Sequence, residues 1–225
     1  MKFRKRVLLT GFEAFGKTPI NPAEQVVKAL DEKVIDDHKV ISTIVPNTFF
    51  KSIDTVKGAI EKVEPEIVIM LGEYGGRSGI TVERICHNFN DSARYALKDN
   101  DGKMLRGEPT VVGGPAAYYS TLPVRAIVRA MRDAGIPADI SETPGTNVCN
   151  HLMYGILHFV SVQNLPIRAG WIHLPFLPST AALEENLGAP SMSRETAAEG
   201  VAIAIRAAIE HPVDIKANIV SRWQI

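Results

Sequence analysis

Apolar positions along this 225-residue chain follow two different spacings. Short apolar runs are typical of strands buried on both faces of a sheet, and they predict strands over 6–10, 40–45, 66–71, 138–141 and 167–174. Stripes with three- and four-residue spacing predict helices over 21–30, 49–63, 124–135, 147–160 and 193–208. This alternation indicates an α/β fold: a three-layer α/β/α domain with a mainly parallel twisted sheet.

Residues that favour turns and helix ends support these elements. Pro22 stands in the first turn of one predicted helix, Pro65 follows the end of the next, and Gly135 closes a third. One long stretch, 90–114, is polar and loop-like, and loops of this length are often functional or disordered. We find no internal repeat and no Pro/Gly/Ser-rich linker, and we therefore expect one domain over residues 1–225.

Composition and charge narrow the class of protein. Lys plus Arg and Asp plus Glu number 25 each, so no net charge attracts nucleic acid or an anionic membrane. The basic start is followed by only three apolar residues, too few for a signal peptide, and no run approaches the roughly 20 residues of a membrane span. Two cysteines in different settings favour a reducing compartment over a disulfide framework. We expect a cytoplasmic protein that binds neither nucleic acid nor membranes.

One of the two cysteines, Cys149, lies where a Pro/Gly turn becomes a helix, with Thr146 as the expected N-cap. The unpaired N–H groups and positive dipole of a helix start favour a thiolate, the nucleophilic form of cysteine. The alternative interpretation is a small buried hydrophobe. Position alone does not decide between them.

A base for such a thiol is found downstream. His173 ends the apolar run 167–174, and loops beyond strand ends collect functional groups in α/β sheets. The alternative is a hydrogen-bonded core histidine. His151 and His158 share the predicted helix of Cys149, but His151 points away from the cysteine and His158 lies too far along the helix. His38 and His211 have charged neighbours that predict surface turns.

A third group lies in the segment 80–89, whose alternating β-branched residues predict a strand or hairpin arm. Glu83 within it is a candidate to fix the imidazole tautomer, which a Cys/His pair requires. The alternative is a solvated carboxylate on a strand face. The glycine-rich segment 71–77 lacks the lysine and Ser/Thr of a phosphate-binding loop, so we expect its glycines to form a tight turn near the site.

Together these motifs resemble those of the pyroglutamyl peptidase I family of cysteine peptidases. The resemblance rests on Ile80-Thr-Val-Glu-Arg84, Gly145-Thr-Asn-Val-Cys-Asn-His151 and Ala169-Gly-Trp-Ile-His-Leu-Pro175, in that order. Further similar blocks are Leu8–Gly16, Asn21-Pro22, Leu71–Arg77 and Gly113–Tyr118. They extend over nearly the whole chain.

The resemblance implies a phosphorylase- or hydrolase-like version of the α/β fold, a mechanism and a set of site residues. Cys149 attacks the carbonyl of an N-terminal pyroglutamyl residue, His173 transfers protons, Glu83 orients His173, and neither metal nor cofactor takes part. It implies pyroglutamylated peptides as substrates and a homo-oligomer, by family pattern a homotetramer. The implied substrate-binding residues are Phe12, Phe15, Asn147, Val148 and Arg94, the last being the nearest match to a family arginine in the loop after the glutamate.

Several departures from the family pattern concern substrate choice. Asn147 stands where the family has a phenylalanine, Glu73 where glutamine or a small residue is common, and Pro144 where alanine is usual. Three alternatives therefore stay open. They are a cysteine amidase for another small N-acyl group, a non-catalytic binding protein on the same scaffold, and a phosphorylase-like enzyme that needs phosphate but not Cys149.

Overall fold

The fold is described from a computed structural model, which covers residues 4–221. Seven strands form the main sheet, in the spatial order β2-β3-β1-β4-β9-β5-β8, and β6 pairs with β7 in a small second sheet. The strands are β1 (Arg4–Phe12), β2 (Val34–Ile35), β3 (His38–Val45), β4 (Pro65–Glu73), β5 (Ile80–Glu83), β6 (Ile85–His87), β7 (Ala117–Tyr119), β8 (Ala138–Ser141) and β9 (Arg168–Leu174).

Helices cover both faces of the main sheet. They are α1 (Pro22–Leu30), α2 (Lys51–Val63), α3 (Val124–Asp133), α4 (Val148–Val162), α5 (Pro178–Ala181) and α6 (Arg194–Glu210). Successive residues of a strand point to opposite faces, so Val7 packs with α1 and α6 while Leu8 packs with α2 and α4. The middle of each central strand is therefore apolar on both faces, which is why these strands appear in the sequence as short apolar runs.

The predicted α/β architecture is confirmed, with a mainly parallel sheet. Strands β3, β1, β4 and β9 run parallel in adjacent pairs, and so do β5 and β8. Two pairs are antiparallel: β2 with β3, and β5 with β9. The sheet thus reverses direction between β9 and β5, at the place where the predicted site residues meet.

Most of the predicted strands and helices are present, and a few local predictions are wrong. The segment 80–89 is interrupted at Arg84 into β5 and β6, and the sequence pattern missed β2, β7 and α5. The N-cap of α4 is Asn147 rather than Thr146, whose hydroxyl instead donates to the Asp91 carbonyl. His38 is not in a surface turn: it begins β3 and is buried, with its ring nitrogens beside carboxylates of Asp37 and Glu66.

Candidate active site

The pairing register of three neighbouring strands positions His173. In β4 its partner is Gly72, and in β5 its antiparallel partner is Thr81. Glu83 lies two residues after Thr81, so its side chain projects from the same face of β5. The sheet therefore directs the imidazole and the carboxylate to one place without help from any loop.

The two side chains are joined by a short hydrogen bond. His173 Nδ1 lies 2.8 Å from Glu83 Oε1, and both residues are essentially inaccessible to solvent. With Glu83 as a carboxylate, which only accepts hydrogen bonds, Nδ1 carries the proton and Nε2 is left as the basic nitrogen. The structure thus brings together the two residues that the sequence analysis named as base and orienting acid.

Arg77 neutralises the buried carboxylate, a role that sequence reasoning did not assign. Its Nη1 lies 2.8 Å from Glu83 Oε1, and the Thr81 hydroxyl donates to the same oxygen over 3.1 Å. The guanidinium also lies over the ring of Tyr74, 3.7 Å from its centroid, and Tyr74 in turn meets His173 edge-on. An arginine six residues before a strand carboxylate carries no distinguishing pattern, so only the fold reveals this contact.

Cys149 reaches the same place from the opposite direction, as the second residue of α4. A Cβ built on Gly72 would lie 3.3 Å from the Cys149 sulfur and 3.2 Å from His173 Cδ2, so the two side chains converge above this glycine. It would also lie 2.6 Å from Trp171 Cζ2. Gly72 is thus required for close approach within β4, whereas the expected tight turn falls at Gly75 and Gly76, directly after the strand.

The electrostatics of the site oppose the expected thiolate. Burial raises the pKa of the Cys149 thiol to about 12, and the charge of Glu83 acts in the same direction. The amide at the helix start and the charge of Arg77 lower this pKa, but they are the weaker causes. Burial also lowers the pKa of His173, against the contrary effect of Glu83. Both shifts favour a neutral thiol beside a neutral imidazole, in the direction opposite to the thiolate expected from the helix start alone.

A cavity of about 260 Å³ opens beside Cys149 and His173. Four of the five predicted substrate-binding residues line it: Phe12, Phe15, Asn147 and Val148. Arg94 does not; it is exposed, and its guanidinium lies 5.6 Å from the Tyr95 ring centroid. Glu73 and Pro144, which the sequence analysis connected with substrate choice, also line the cavity. So do Tyr95 and Asn21, to which the sequence analysis gave no role in substrate binding.

The two residues after Cys149 anchor the loops that form this cavity. Asn150 is fully buried and bonds to the backbone of His87 and Phe89 and to the side chain of Asn90. His151 accepts from the Phe50 amide and bonds to the Thr110 hydroxyl, and burial lowers its pKa to about 3. Both side chains thus hold the long irregular segment and the start of α2 against α4.

Within residues 4–221, no group of three or more His, Cys, Asp and Glu side chains could hold a metal ion. In the same part of the chain, no helix is both long enough and apolar enough to cross a bilayer. A thiol, an imidazole and a buried carboxylate in series are instead the groups used by cysteine-dependent acyl-transfer enzymes.

Comparison with known proteins identifies the family. The sequence profile of the pyroglutamyl peptidase family matches residues 5–211. The pyrrolidone-carboxylate peptidase of Mycobacterium tuberculosis is 58% identical over 220 residues, 98% of this chain and 99% of the relative. The Bacillus mycoides protein of the same name is 48% identical over 95% of this chain and 97% of its own. The chain therefore belongs to the pyroglutamyl peptidase family.

Solved structures agree with this assignment. The crystal structure of Bacillus amyloliquefaciens pyroglutamyl peptidase I superposes with a TM-score of 0.90 at 39% identity, covering 94% of this chain and 100% of that one. The pyrrolidone carboxyl peptidase of Thermococcus litoralis gives 0.89 at 38% identity, with 96% and 100% coverage. The resemblance inferred from three short motifs is confirmed over nearly the whole chain.

The raised thiol pKa leads to a prediction for chemical labelling. Iodoacetamide should alkylate Cys149 about ten times faster for each pH unit between 7 and 9, because the thiolate fraction grows tenfold per unit below the pKa. Cys86 is fully enclosed and its pKa is also raised to about 12, so it should stay unlabelled in the folded protein. Timed quenching with peptide mass spectrometry measures both rates. A Cys149 rate that is constant from pH 6 to 9 would indicate a preformed thiolate–imidazolium pair and contradict the prediction.

Proposed function

We propose that this protein is a cysteine peptidase that removes an N-terminal pyroglutamyl residue from peptides. The observation that carries the proposal is the convergence of Cys149 and His173 above Gly72, with Glu83 bonded to His173, beside a small, largely apolar cavity. Family membership supports the same activity, since relatives carry the names pyroglutamyl peptidase and pyrrolidone-carboxylate peptidase.

The proposed reaction begins with proton transfer within the neutral pair. His173 Nε2 takes the proton from Cys149 as the sulfur attacks the pyroglutamyl carbonyl carbon. The imidazolium that forms is stabilised by Glu83 through Nδ1. It then protonates the leaving amine, and the C–N bond breaks to leave a thioester. Water attacks the thioester with His173 as base, which releases pyroglutamate and restores the thiol.

Because the resting thiol is neutral, charge develops only during the reaction. The thiolate and imidazolium arise together, so their mutual attraction offsets the cost of burial that each would bear alone. Backbone N–H groups in the first turn of α4 are suited to receive the carbonyl oxygen as it becomes negative. The chemistry requires only water besides the peptide, and we propose that no cofactor or metal takes part.

We propose that the lactam ring occupies the cavity against Phe12 and Phe15, with Asn147 and Val148 forming the wall nearest the thiol. An uncharged ring suits this lining, since aromatic faces bind it without a charged partner. Arg94 lies outside the cavity, and the proposal gives it no contact with the ring.

Three further proposals follow from the family resemblance and the composition. The chain acts as a single catalytic domain of residues 1–225, since both hydrophobic clusters pack on one sheet. It works in the cytoplasm, which suits two unpaired cysteines. It assembles as a homo-oligomer, by family pattern a homotetramer.

Turnover of chromogenic amides tests the proposed activity. A pyroglutamyl amide should be hydrolysed, whereas the same leaving group on proline or on glutamine should not, because neither presents a lactam. Cys149→Ser should abolish the turnover. Equal cleavage of the glutamine amide would favour the general cysteine amidase, and phosphate-dependent activity that survives Cys149→Ser would favour the phosphorylase-like enzyme. Binding without turnover would favour the non-catalytic protein.

The orienting carboxylate gives a second test. Glu83→Gln keeps an oxygen that can accept from Arg77 and Thr81, but it removes the charge that stabilises the imidazolium. At a temperature where the variant is folded, we expect kcat to fall by at least roughly ten- to a hundredfold. The temperature of thermal unfolding should also fall, because the buried charge of Arg77 loses its charged partner. Glu32→Gln, at an exposed surface ion pair, is the matched control and should keep normal kinetics. Near-native turnover in Glu83→Gln would mean that His173 is oriented by something else.

The altered cavity wall gives a third test. Asn147→Phe should lower KM for a pyroglutamyl amide by roughly two- to tenfold, because an aromatic contact contributes about 0.5–1.5 kcal/mol. Turnover should change less than KM, and Asn147→Leu should give a smaller gain because it adds apolar area without a ring. Loss of pyroglutamyl cleavage in Asn147→Phe would indicate a cavity built for a more polar acyl group.

A further inference from the structure

The cavity wall holds a carboxyl group whose role the mechanism leaves open. Glu73 is the last residue of β4, directly after the Gly72 that underlies Cys149 and His173. It lines the same cavity, and its Oε2 is buried without a hydrogen-bonding partner among the described residues. A buried polar atom left unpaired costs free energy unless a ligand satisfies it.

The chemistry of the lactam supplies what this carboxyl lacks. The ring amide of a pyroglutamyl residue is held cis, so its N–H and C=O lie on the same edge. A protonated carboxyl presents one O–H donor and one C=O acceptor on its own edge, whereas an ionised carboxyl only accepts. The two edges match as a pair of parallel hydrogen bonds. Proline lacks the ring carbonyl and therefore cannot form that pair.

We propose that Glu73, in its protonated form, binds the lactam edge of the pyroglutamyl ring and so determines the specificity of this site for that ring. The inference deepens the proposed function and rests on it. Glu73 donates to the lactam carbonyl and accepts from the lactam N–H. Ionisation removes the donor and brings a negative charge against the lactam oxygen, so the ionised enzyme binds the ring poorly.

The surroundings of Glu73 favour the protonated form. Burial raises its pKa to about 7. The titratable or charged groups that share its cavity are His173 from β9, Cys149 from α4, and residues of adjoining loops, namely Tyr74, Tyr95, Lys98 and Asp99. The Asp99 carboxylate is already bonded to the backbone amides of Phe49, Asp101 and Lys103.

The proton equilibrium of Glu73 can be separated from those of the proposed catalytic pair. Burial moves the pKa of Cys149 up to about 12 and that of His173 down, both away from neutrality. An ionised Glu73 also raises the pKa of Cys149, which affects the rate rather than the binding of the ring. Loss of ring binding therefore appears in KM, and the effect on the thiol appears in kcat and in alkylation.

Steady-state kinetics of a pyroglutamyl amide between pH 6 and 8.5 test the proposal. In the unmodified protein KM should rise about tenfold from pH 6 to 8, as Glu73 ionises. Glu73→Gln keeps a donor and an acceptor at every pH, so its KM should be independent of pH over this range. Glu73→Leu should raise KM at every pH, and Glu32→Gln should keep the profile of the unmodified protein. Parallel KM profiles for the unmodified protein and Glu73→Gln would overturn the inference.

A binding measurement on the unmodified protein does not depend on how well the Glu73 variants fold. It also distinguishes the proposed role of Glu73 from the proposed peptidase activity. 2-Pyrrolidone should protect Cys149 of the unmodified protein from iodoacetamide, with a protection constant several-fold weaker at pH 8.5 than at pH 6. Cyclopentanone, which lacks the N–H, should protect weakly at both. Equal protection by 2-pyrrolidone at the two pH values would refute the role of Glu73 and leave the peptidase activity standing. Absence of pyroglutamyl amide turnover at every pH would instead refute the proposed function.

Discussion

The ion pair between Arg77 and Glu83 is the interaction on which the site depends. Glu83 has no exposed surface, and a carboxylate removed from water needs a charged partner and several hydrogen bonds to stay ionised. Arg77, Thr81 and His173 all converge on its Oε1. Breaking such a pair by removing one partner typically costs about 3–5 kcal/mol, because the other charge remains buried. The same buried carboxylate that pairs with Arg77 also fixes the orientation of the imidazole.

The antiparallel pairing of β5 with β9 is the second constraint. It puts Thr81 beside His173 and Glu83 two residues further on, while parallel pairing of β4 with β9 puts Gly72 on the other side. A shift of one residue in the β5–β9 pair would turn Glu83 to the face opposite His173, and the same shift in the β4–β9 pair would move Gly72 out of its position beside His173. Apolar side chains on both faces of these strands pack against helices, and this packing makes the register costly to change.

Much of this arrangement could be predicted from the sequence, since hydrophobic spacing and short motifs report local structure well. The buried runs and helical stripes located the main strands and helices, and the motifs led to Glu83, Cys149 and His173. Arg77 could not be found in this way, because its contact with Glu83 forms only when the loop after β4 and strand β5 come together in the folded protein. The direction of the Cys149 pKa was also missed: a helix start is visible in the sequence, whereas the burial that outweighs it is not. Arg94 was assigned by counting along a long loop, where no periodicity fixes the register.

Asn150 and His151 tie the first turn of α4 to segments that are far away in the chain. Asn150 alone makes four hydrogen bonds, to His87, Phe89 and Asn90, each worth about 1 kcal/mol in a typical protein. Loosening the segment around residue 90 therefore also loosens the turn that carries Cys149. We therefore expect the cavity wall and the thiol to open as one unit of local unfolding, in contrast to a lid that swings over a rigid base. Cys149 is already partly exposed at the cavity in the folded protein, so such an opening is not needed to uncover the sulfur. Its consequence is instead to move the sulfur away from His173, which separates the two groups that must exchange a proton.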